Sequence, residues 1–167
     1  KGCEDGGHEV RRIEVARLEF PLLRTKDEFE KGTPPDSIKQ AQDAIRWADH
    51  LVIFYPLWLG SMPALLKAFL EQVFRPGVAF EYRAQGKMAK KLFTGKSARI
   101  VVTMGMPALV YRWFFLAHSL KSLERNILAF CGIKPTRATL IGQVEGMNER
   151  QRASWLDEMR GLGDVGK

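Results

Sequence analysis

Two short, strongly apolar runs constrain the fold of this chain more than any other feature of its sequence. They are Leu51–Tyr55 (LVIFY) and Ala98–Met104 (ARIVVTM). A strand covered on both faces of a parallel sheet has a near-continuous apolar run, whereas a half-exposed strand alternates. Helical spacing of apolar residues follows each run, over Pro63–Phe74 and over residues 111–131. The pattern predicts buried parallel strands joined by helices.

The remaining segments extend this order. Val10–Leu18 alternates charged and apolar residues, which predicts a half-exposed or edge strand, and Ser37–Trp47 has helical spacing. Thr136–Ile141 is a more polar third strand, and Asn148 caps a final helix. Strict alternation of strands and helices predicts an α/β fold, a doubly wound parallel sheet with helices on both faces. At 167 residues we expect one domain, 1–167.

Composition excludes several classes of protein. Hydrophobic residues make up 46% and charged residues 27%, as in ordinary globular domains. No uncharged apolar stretch approaches the roughly 18 residues of a transmembrane helix. Cys3 and Cys131 are too few for a disulfide framework, so we expect a reducing, cytoplasmic setting.

Charge is distributed unevenly along the chain. Residues 1–50 carry 9 Lys/Arg against 11 Asp/Glu, whereas residues 51–167 carry 17 against 8. The basic part predicts an anionic partner, which composition leaves open as nucleic acid, a membrane surface or a phosphorylated cofactor. The most basic stretch, Arg83–Arg99, contains a single aromatic residue, Phe93. We therefore interpret it as a solvated loop and expect no nucleic-acid partner.

Common catalytic motifs are missing from the sequence. It contains no GxxxxGK[ST], GxGxxG, HExxH or GxSxG motif, and no Cys/His/Asp cluster has metal-ligand spacing, so no metal site is predicted. This favours chemistry carried by a bound organic cofactor. Because ligands of such sheets bind beyond the carboxyl ends of the strands, loops 56–62 and 103–111 are the candidate site.

The loop after the first apolar run has the residues to hold a flat ligand. Pro56 stops the strand, Trp58 and Leu59 are large apolar groups, and Gly60 lets the backbone bend. Main-chain N–H groups and apolar contacts there suit a planar aromatic ring. The alternative is a tight turn whose Trp58 packs into the core.

Three stretches carry a resemblance to a known family: ADHLVIFYPLWLGSMPALLKAFLEQVF, TMGMPALVYRW and HSLKSLERNILAFCGIKP. Together they resemble the flavodoxin-like NAD(P)H:quinone oxidoreductases. That family includes quinone reductases and the ancillary flavoproteins of potassium-efflux systems. The resemblance covers roughly residues 7–160.

The resemblance implies a bound flavin, FMN or FAD, with NAD(P)H as electron donor. It also implies the residues that contact the flavin ring: Pro56, Leu57, Trp58, Leu59, Gly60, Thr103, Met104, Gly105 and Met106. In some members of the family, a Tyr and a His near the ring donate hydrogen bonds to a quinone oxygen or to the reduced flavin. Tyr111 matches the first of these positions, and His118 is displaced by about one residue from the second. They are the predicted catalytic residues. The alternatives are core packing beside Trp113 and Phe114 for Tyr111, and a surface or interface histidine on a helix for His118.

The activity implied is two-electron hydride transfer from NAD(P)H through flavin N5 to a quinone, with ping-pong kinetics. The family also implies a homodimer, for which Trp113–Leu116 is the candidate surface. The alternative is a regulatory flavoprotein subunit of a membrane potassium-efflux transporter, with membrane association only through that partner.

One departure concerns the beginning of the sequence. Relatives begin with a strand and a loop that cradles the flavin phosphate, whereas Gly6-Gly7 here resembles the end of the first helix. We expect that the sequence omits the first strand and most of the first helix, about 25–30 residues for one strand plus one helix of ordinary length. The alternative is a degenerate, flavin-free member.

Overall fold

A three-stranded parallel sheet forms the centre of the protein. The structure, a computed structural model, describes residues 1–83 and 89–166. Its strands are β1 (His50–Pro56), β2 (Phe80–Glu81), β3 (Lys90–Lys91), β4 (Ser97–Thr103) and β5 (Thr136–Ile141). The parallel sheet has the order β1-β4-β5, and β2 and β3 form a separate antiparallel pair. The alternating order of strands and helices agrees with the α/β prediction.

Helices connect and flank the strands. They are α1 (Gly2–Asp5), α2 (Lys26–Lys31), α3 (Asp36–Trp47), α4 (Ala64–Val73), α5 (Ala108–Trp113), α6 (His118–Ser122), α7 (Ala129–Cys131) and α8 (Glu149–Asp164). A π-helical turn, Leu123–Leu128, joins α6 to α7. Asn148 caps α8 with a complete capping box, as its sequence predicts. None of the helices within residues 1–83 and 89–166 is long and apolar enough to cross a bilayer.

Strand β4 lies in the middle of the sheet and is covered on both sides. Its residues 98–102 are all buried, so both alternating sets of side chains are removed from water. On one face, Ile100 and Val102 join a core cluster with residues of α3 and α4, such as Ile38 and Phe69. Each such side chain contributes about 1.5–3 kcal/mol by burial. The prediction of a buried central strand with helices on both faces is confirmed.

Strand β1 is less buried than its apolar run predicts. It lies at the edge of the sheet, and Val52 and Phe54 on its second face are exposed, Phe54 to 63%. Leu51, Ile53 and Tyr55 point to the core face instead. Burial on both faces is therefore wrong for β1, because its edge position leaves one column of side chains uncovered.

The strand predicted at Val10–Leu18 is also wrong. The segment is irregular, with a 3-10 turn at Val15–Arg17. Ile13, Val15 and Leu18 nevertheless pack against the core. An extended chain that places alternate side chains on the core has the same period of two as a strand, without pairing to one.

The long helix predicted over residues 111–131 is broken near its start. Leu116 and Ala117 have φ of 52° and 48°, left-handed values that stop a right-handed helix. The carbonyl of Tyr111 accepts a hydrogen bond from Ala117 N at 3.0 Å, which closes the bend. The helix resumes at α6 and ends where predicted, at Gly132 with φ of 103°. The break leaves the large apolar side chains of Trp113–Leu116 exposed.

Candidate functional site

The ends of three parallel strands define one edge of the sheet. Pro56 lies opposite Thr103, and Thr103 lies opposite Ile141. We call this end of the strands the carboxyl edge, which is distinct from the lateral edge of the sheet at β1. Because the strands run parallel, the loops that follow them start side by side there. The candidate site is built from these loops.

The loop after β1 is a two-residue hairpin turn. Trp58 N donates to Ser61 O, and Ser61 N donates to Trp58 O, both at 2.9 Å. The two residues between them, Leu59 and Gly60, have φ of 46° and 75°. Positive φ at both central positions is the signature of a type I′ turn. The turn holds Trp58 outward with 62% of its surface exposed, so the alternative of a core-packed Trp58 is wrong.

Leu59 is in an unusual position for a leucine. Its backbone is left-handed and its side chain is fully exposed. A bulky residue in this conformation costs on the order of 1 kcal/mol, which glycine or asparagine avoids. No burial offsets this strain in the isolated chain. Strained exposed residues of this kind cluster at ligand-binding sites.

The three loops are interlocked by main-chain hydrogen bonds. Leu57 N donates to Thr103 O at 2.7 Å, and Gln143 N donates to Met106 O at 3.1 Å. Gly142 makes the second contact possible, because a Cβ there would lie 2.8 Å from Met106 O and against Ala108 N. The geometry of the carboxyl edge is therefore fixed by backbone rather than by flexible side chains.

Several main-chain donors at this edge remain open. Over residues 1–83 and 89–166, the N–H groups of Leu59, Gly60, Gly105 and Met106 donate no backbone hydrogen bond. The N–H groups of Leu57 and Trp58 are already used, and Pro56 has none. The site thus offers fixed donors on the loops after β1 and β4, and the first of these loops also carries the exposed Trp58. This arrangement can bind the polar edge of a planar heteroaromatic ring and stabilise negative charge that develops on it.

The predicted ring-contact residues differ in accessibility. Those exposed at the carboxyl edge are Pro56, Trp58, Leu59, Gly60 and Gly105, and those partly buried are Leu57, Thr103 and Met106. Met104 is buried, with its N–H bonded to Ile141 O and its carbonyl to Val144 N. Its side chain belongs to the core rather than to the loop surface.

The two predicted catalytic residues lie in different environments. Tyr111 is 1% exposed, and its hydroxyl bonds Ser119 Oγ at 2.7 Å and accepts Leu120 N at 3.2 Å. His118 is exposed at the first position of α6. The Tyr111 hydroxyl therefore fastens α5 to α6, the helix that carries His118.

Two further titratable groups lie near Tyr111. Tyr55 Oη is buried and has no hydrogen-bond partner among the described residues. Burial, followed by the neighbouring Tyr111 and Glu124, raises the pKa of Tyr55. Burial also raises the pKa of Glu124, against the opposing charges of Arg125 and Lys121. Neutral forms of both groups are favoured beneath the site.

Sequence reasoning missed the third loop, after β5. It contains Gln143 in a left-handed conformation and Glu145, whose carboxylate lies 3.7 Å from the position of a Cβ on Gly105. The carboxyl-end rule applied to Thr136–Ile141 would have included this loop. Thr136–Ile141 is the most polar of the three strands, and for this reason only the loops after the two apolar strands were predicted as the site.

Much of the predicted basic stretch is used internally. Lys91 Nζ donates to Ala129 O at 2.8 Å, Lys96 Nζ donates to Arg46 O at 2.7 Å, and Lys90 pairs with Glu81 at 3.0 Å. Lys87, which belongs to the same stretch, lies outside the described residues. Each of these three lysines therefore stabilises a neighbouring segment of the chain.

No group of three or more His, Cys, Asp or Glu side chains within residues 1–83 and 89–166 could hold a metal ion.

Burial raises the pKa of the Cys131 thiol to about 12, with an opposing effect from Lys91. Cys131 is thus a protonated core residue at neutral pH.

Comparisons with known proteins agree with this geometry. The chain is 25% identical over 158 residues to an "Uncharacterized NAD(P)H oxidoreductase" of Haemophilus influenzae, covering 92% of this chain and 77% of that protein. It is 35% identical over 114 residues to an FMN-dependent NADH:quinone oxidoreductase of Hahella chejuensis. That match covers 61% of this chain and spans about half of the relative, 52%.

A solved structure has the same fold. The NAD(P)H:quinone oxidoreductase from Methanothermobacter marburgensis superimposes with a TM-score of 0.79 at 23% identity, covering 98% of this chain and 83% of that one. The family model of the flavodoxin-like fold, Flavodoxin_2, matches residues 1–161. With nearly the whole chain matched and the parallel sheet in place, this protein belongs to the Flavodoxin_2 family of flavodoxin-like fold proteins.

Proposed function

We propose that the chain is a flavin-dependent NAD(P)H:quinone oxidoreductase whose ring site is the carboxyl edge. The observation that carries this proposal is the set of open N–H groups of Leu59, Gly60, Gly105 and Met106 beside the exposed Trp58. The Hahella relative is named as FMN-dependent, which supports FMN as the flavin. A bound flavin would supply the redox chemistry, accepting a hydride from NAD(P)H at its N5 and passing it to a quinone.

The residues of the chain would bind and orient the ring. Trp58 offers a flat apolar surface, and the open N–H groups offer donors to ring nitrogen and oxygen atoms. Donors fixed by backbone need no reorganisation when negative charge grows on the ring, so they favour its reduced form. The Glu145 carboxylate, beside Gly105, can accept a hydrogen bond from a ring N–H.

A proton must reach the quinone oxygen as it is reduced. We assign this role to His118, whose exposed imidazole can donate a hydrogen bond to a substrate oxygen. Tyr111 acts as a positioning residue, because its buried hydroxyl holds Ser119 and Leu120 next to His118. A single site for both substrates implies ping-pong kinetics, in which NAD(P)H leaves before the quinone enters.

The exposed segment Trp113–Leu116 supports a homodimer. Four consecutive large apolar side chains, including Trp113 at 72% exposure, are a costly surface in water. A second copy would cover them at the side of the sheet where the ring binds. Sedimentation should show a dimer, and Trp113→Glu should shift it to monomer.

Flavin binding by the purified chain tests the proposal. Titration with FMN and with riboflavin, which carries the ring without the phosphate, should give saturable changes in the flavin spectrum. Trp58→Ala should weaken binding of both by about tenfold, or about 1.4 kcal/mol. Trp47→Ala is the matched control, because Trp47 lies at the end of α3 and stacks under Arg11. Absence of any binding would overturn the proposal.

Steady-state kinetics separate enzyme from subunit. Oxidation of NAD(P)H should depend on a soluble quinone and give parallel double-reciprocal lines. Flavin binding without turnover would instead favour the regulatory subunit of a potassium-efflux transporter. That result would contradict the catalytic part of the proposal and leave the ring site intact.

A further inference from the structure

A second concave site lies at the opposite end of the sheet. A cavity of about 170 Å³ is lined by His50, Ser97, Ala98, Pro135, Arg137 and Gly166. We call it the basic cavity. It lies at the amino ends of β1, β4 and β5, since His50 and Ser97 pair at the first register position. One water molecule needs roughly 10–15 Å³ on this scale, so the cavity can hold a larger ligand.

Arg137 lines this cavity, and the strand register places a second arginine, Arg99, beside Arg137 on the neighbouring strand. Arg99 lies directly opposite Arg137, and its backbone neighbour on the other side is Val52 of β1. Like charges opposite each other on neighbouring strands destabilise a sheet. Neither arginine forms an ion pair with a carboxylate of residues 1–83 or 89–166.

Arg99 lies in a more unusual environment than Arg137. It is only 8% exposed, and its guanidinium makes one hydrogen bond, from Nη1 to Thr139 Oγ1 at 2.9 Å. Its Nε is buried without a partner. A buried guanidinium that lacks both a counter-charge and a full set of acceptors is costly, so an anion nearby would stabilise it.

His50 adds a third basic group with an unused nitrogen. Its Nδ1 lies 2.7 Å from Ser97 Oγ, whereas its Nε2 is buried and has no partner in the described part of the chain. Burial, followed by the charges of Arg99 and Arg137, lowers the pKa of His50. The charged neighbours that act on this imidazole are thus both cations. An acceptor with negative charge would satisfy the ring and the guanidinium groups together.

We propose that the basic cavity binds a phosphate group, either free or at the end of a small organic molecule, between His50, Ser97 and Arg137. The guanidinium of Arg137 provides a fork of donors that matches an oxyanion. Arg99 adds its positive charge from the neighbouring strand, directly opposite Arg137. The site is separate from the proposed flavin site, because it opens at the other end of the same strands.

Thermal unfolding of the full chain gives the first test. Inorganic phosphate, compared with sodium chloride at equal ionic strength, should raise Tm saturably, by about 2–4 °C at concentrations well above Kd. Arg137→Gln should remove most of this rise. Lys134→Gln is the matched control, since it deletes one exposed positive charge three residues away, outside the cavity lining.

Two further measurements make the result decisive. Titration calorimetry should show at least a tenfold weaker phosphate affinity for Arg137→Gln than for Lys134→Gln. The ring resonances of His50 should shift with the same saturation curve, whereas those of His118 should not. Equal responses of both variants, an unshifted His50, or saturation by acetate but not by phosphate would overturn the proposal. Phenyl phosphate distinguishes a phosphate carried by an organic molecule from the free ion.

Discussion

The two ends of the parallel sheet have opposite chemistry although the same strands build both. At the carboxyl edge, exposed apolar groups such as Trp58 and Leu59 surround open main-chain N–H groups. At the opposite end of the sheet, which we call the amino edge, His50, Ser97 and Arg137 line a cavity, and the binding groups are side chains. One edge is fixed by backbone hydrogen bonds between loops, and the other by the register of the ladder. A ligand of each edge would therefore be held by a different kind of contact.

The comparison also explains which edge can be disrupted by a single methyl group. Gly142→Ala should destabilise the protein by about 3 kcal/mol, because the added Cβ would meet Met106 O at 2.8 Å and force two loops of the carboxyl edge apart. Urea unfolding measures the loss, and flavin titration should show weaker binding. Gly146→Ala, four residues further along, meets no atom within 4 Å and should change stability by less than about 0.5 kcal/mol. Equal effects of the two variants would show that the loops are not interlocked.

Tyr111 tests whether the carboxyl edge depends on a buried hydroxyl. Tyr111→Phe leaves Leu120 N without its acceptor and Ser119 without its partner, so we expect a loss of about 1–2 kcal/mol in the free energy of unfolding. If Tyr111 positions His118, the variant should also displace the pH profile of turnover. Tyr82→Phe removes a hydroxyl from an exposed side chain and should do neither. A lower turnover with unchanged stability and pH profile would mean that Tyr111 itself contacts the substrate.

The amino edge should respond to acid. The folded-state pKa of His50 is lowered by burial and by Arg99 and Arg137, so the unfolded chain binds a proton first as pH falls. Stability is therefore complete above pH 6.5 and is lost as pH decreases toward the folded-state pKa, by at most about 1.4 kcal/mol per pH unit. Urea unfolding from pH 7.5 to 5 measures this slope, and His50→Gln should flatten it.

The smallest expected effect is at the turn itself. Leu59→Gly relieves the left-handed strain but makes the unfolded chain more flexible, and the two effects nearly offset. We expect a change below about 0.5 kcal/mol in stability together with weaker flavin binding. A loss above 1 kcal/mol would mean that the Leu59 side chain packs on the protein, contrary to its full exposure.

The carboxyl edge could be predicted from sequence because its residues follow the strands directly. An apolar run such as Leu51–Tyr55 marks a strand, and the next residues must lie at its end. Helix α4 and strand β4 were predicted within one or two residues for the same reason. The anchoring of the Tyr111 hydroxyl to Ser119 and Leu120 could not be predicted, since it depends on a bend at Leu116 and Ala117 that interrupts a regular helical pattern.

The amino edge was missed because nothing in the chain order brings its residues together. His50, Ser97 and Arg137 are far apart in sequence, and only the pairing register makes them neighbours. The false strand at Val10–Leu18 has the opposite origin, since its local alternation was clear and the partner strand was not there to pair with it among the described residues. Local patterns thus identify elements, whereas lateral pairing decides which side chains meet.

The position of β1 at the margin of the sheet has a practical consequence. Its outer side, the rim, presents a row of backbone N–H and C=O groups without a neighbouring strand among the described residues, and the side chains of Val52 and Phe54 add an exposed apolar surface beside them. Such a rim is a template for a further strand, and no strand of residues 1–83 or 89–166 covers it. When this polypeptide is concentrated or stored, precipitation should therefore begin at the seven residues His50–Pro56. A single charge introduced in this strand should improve solubility more than a substitution that only raises thermal stability.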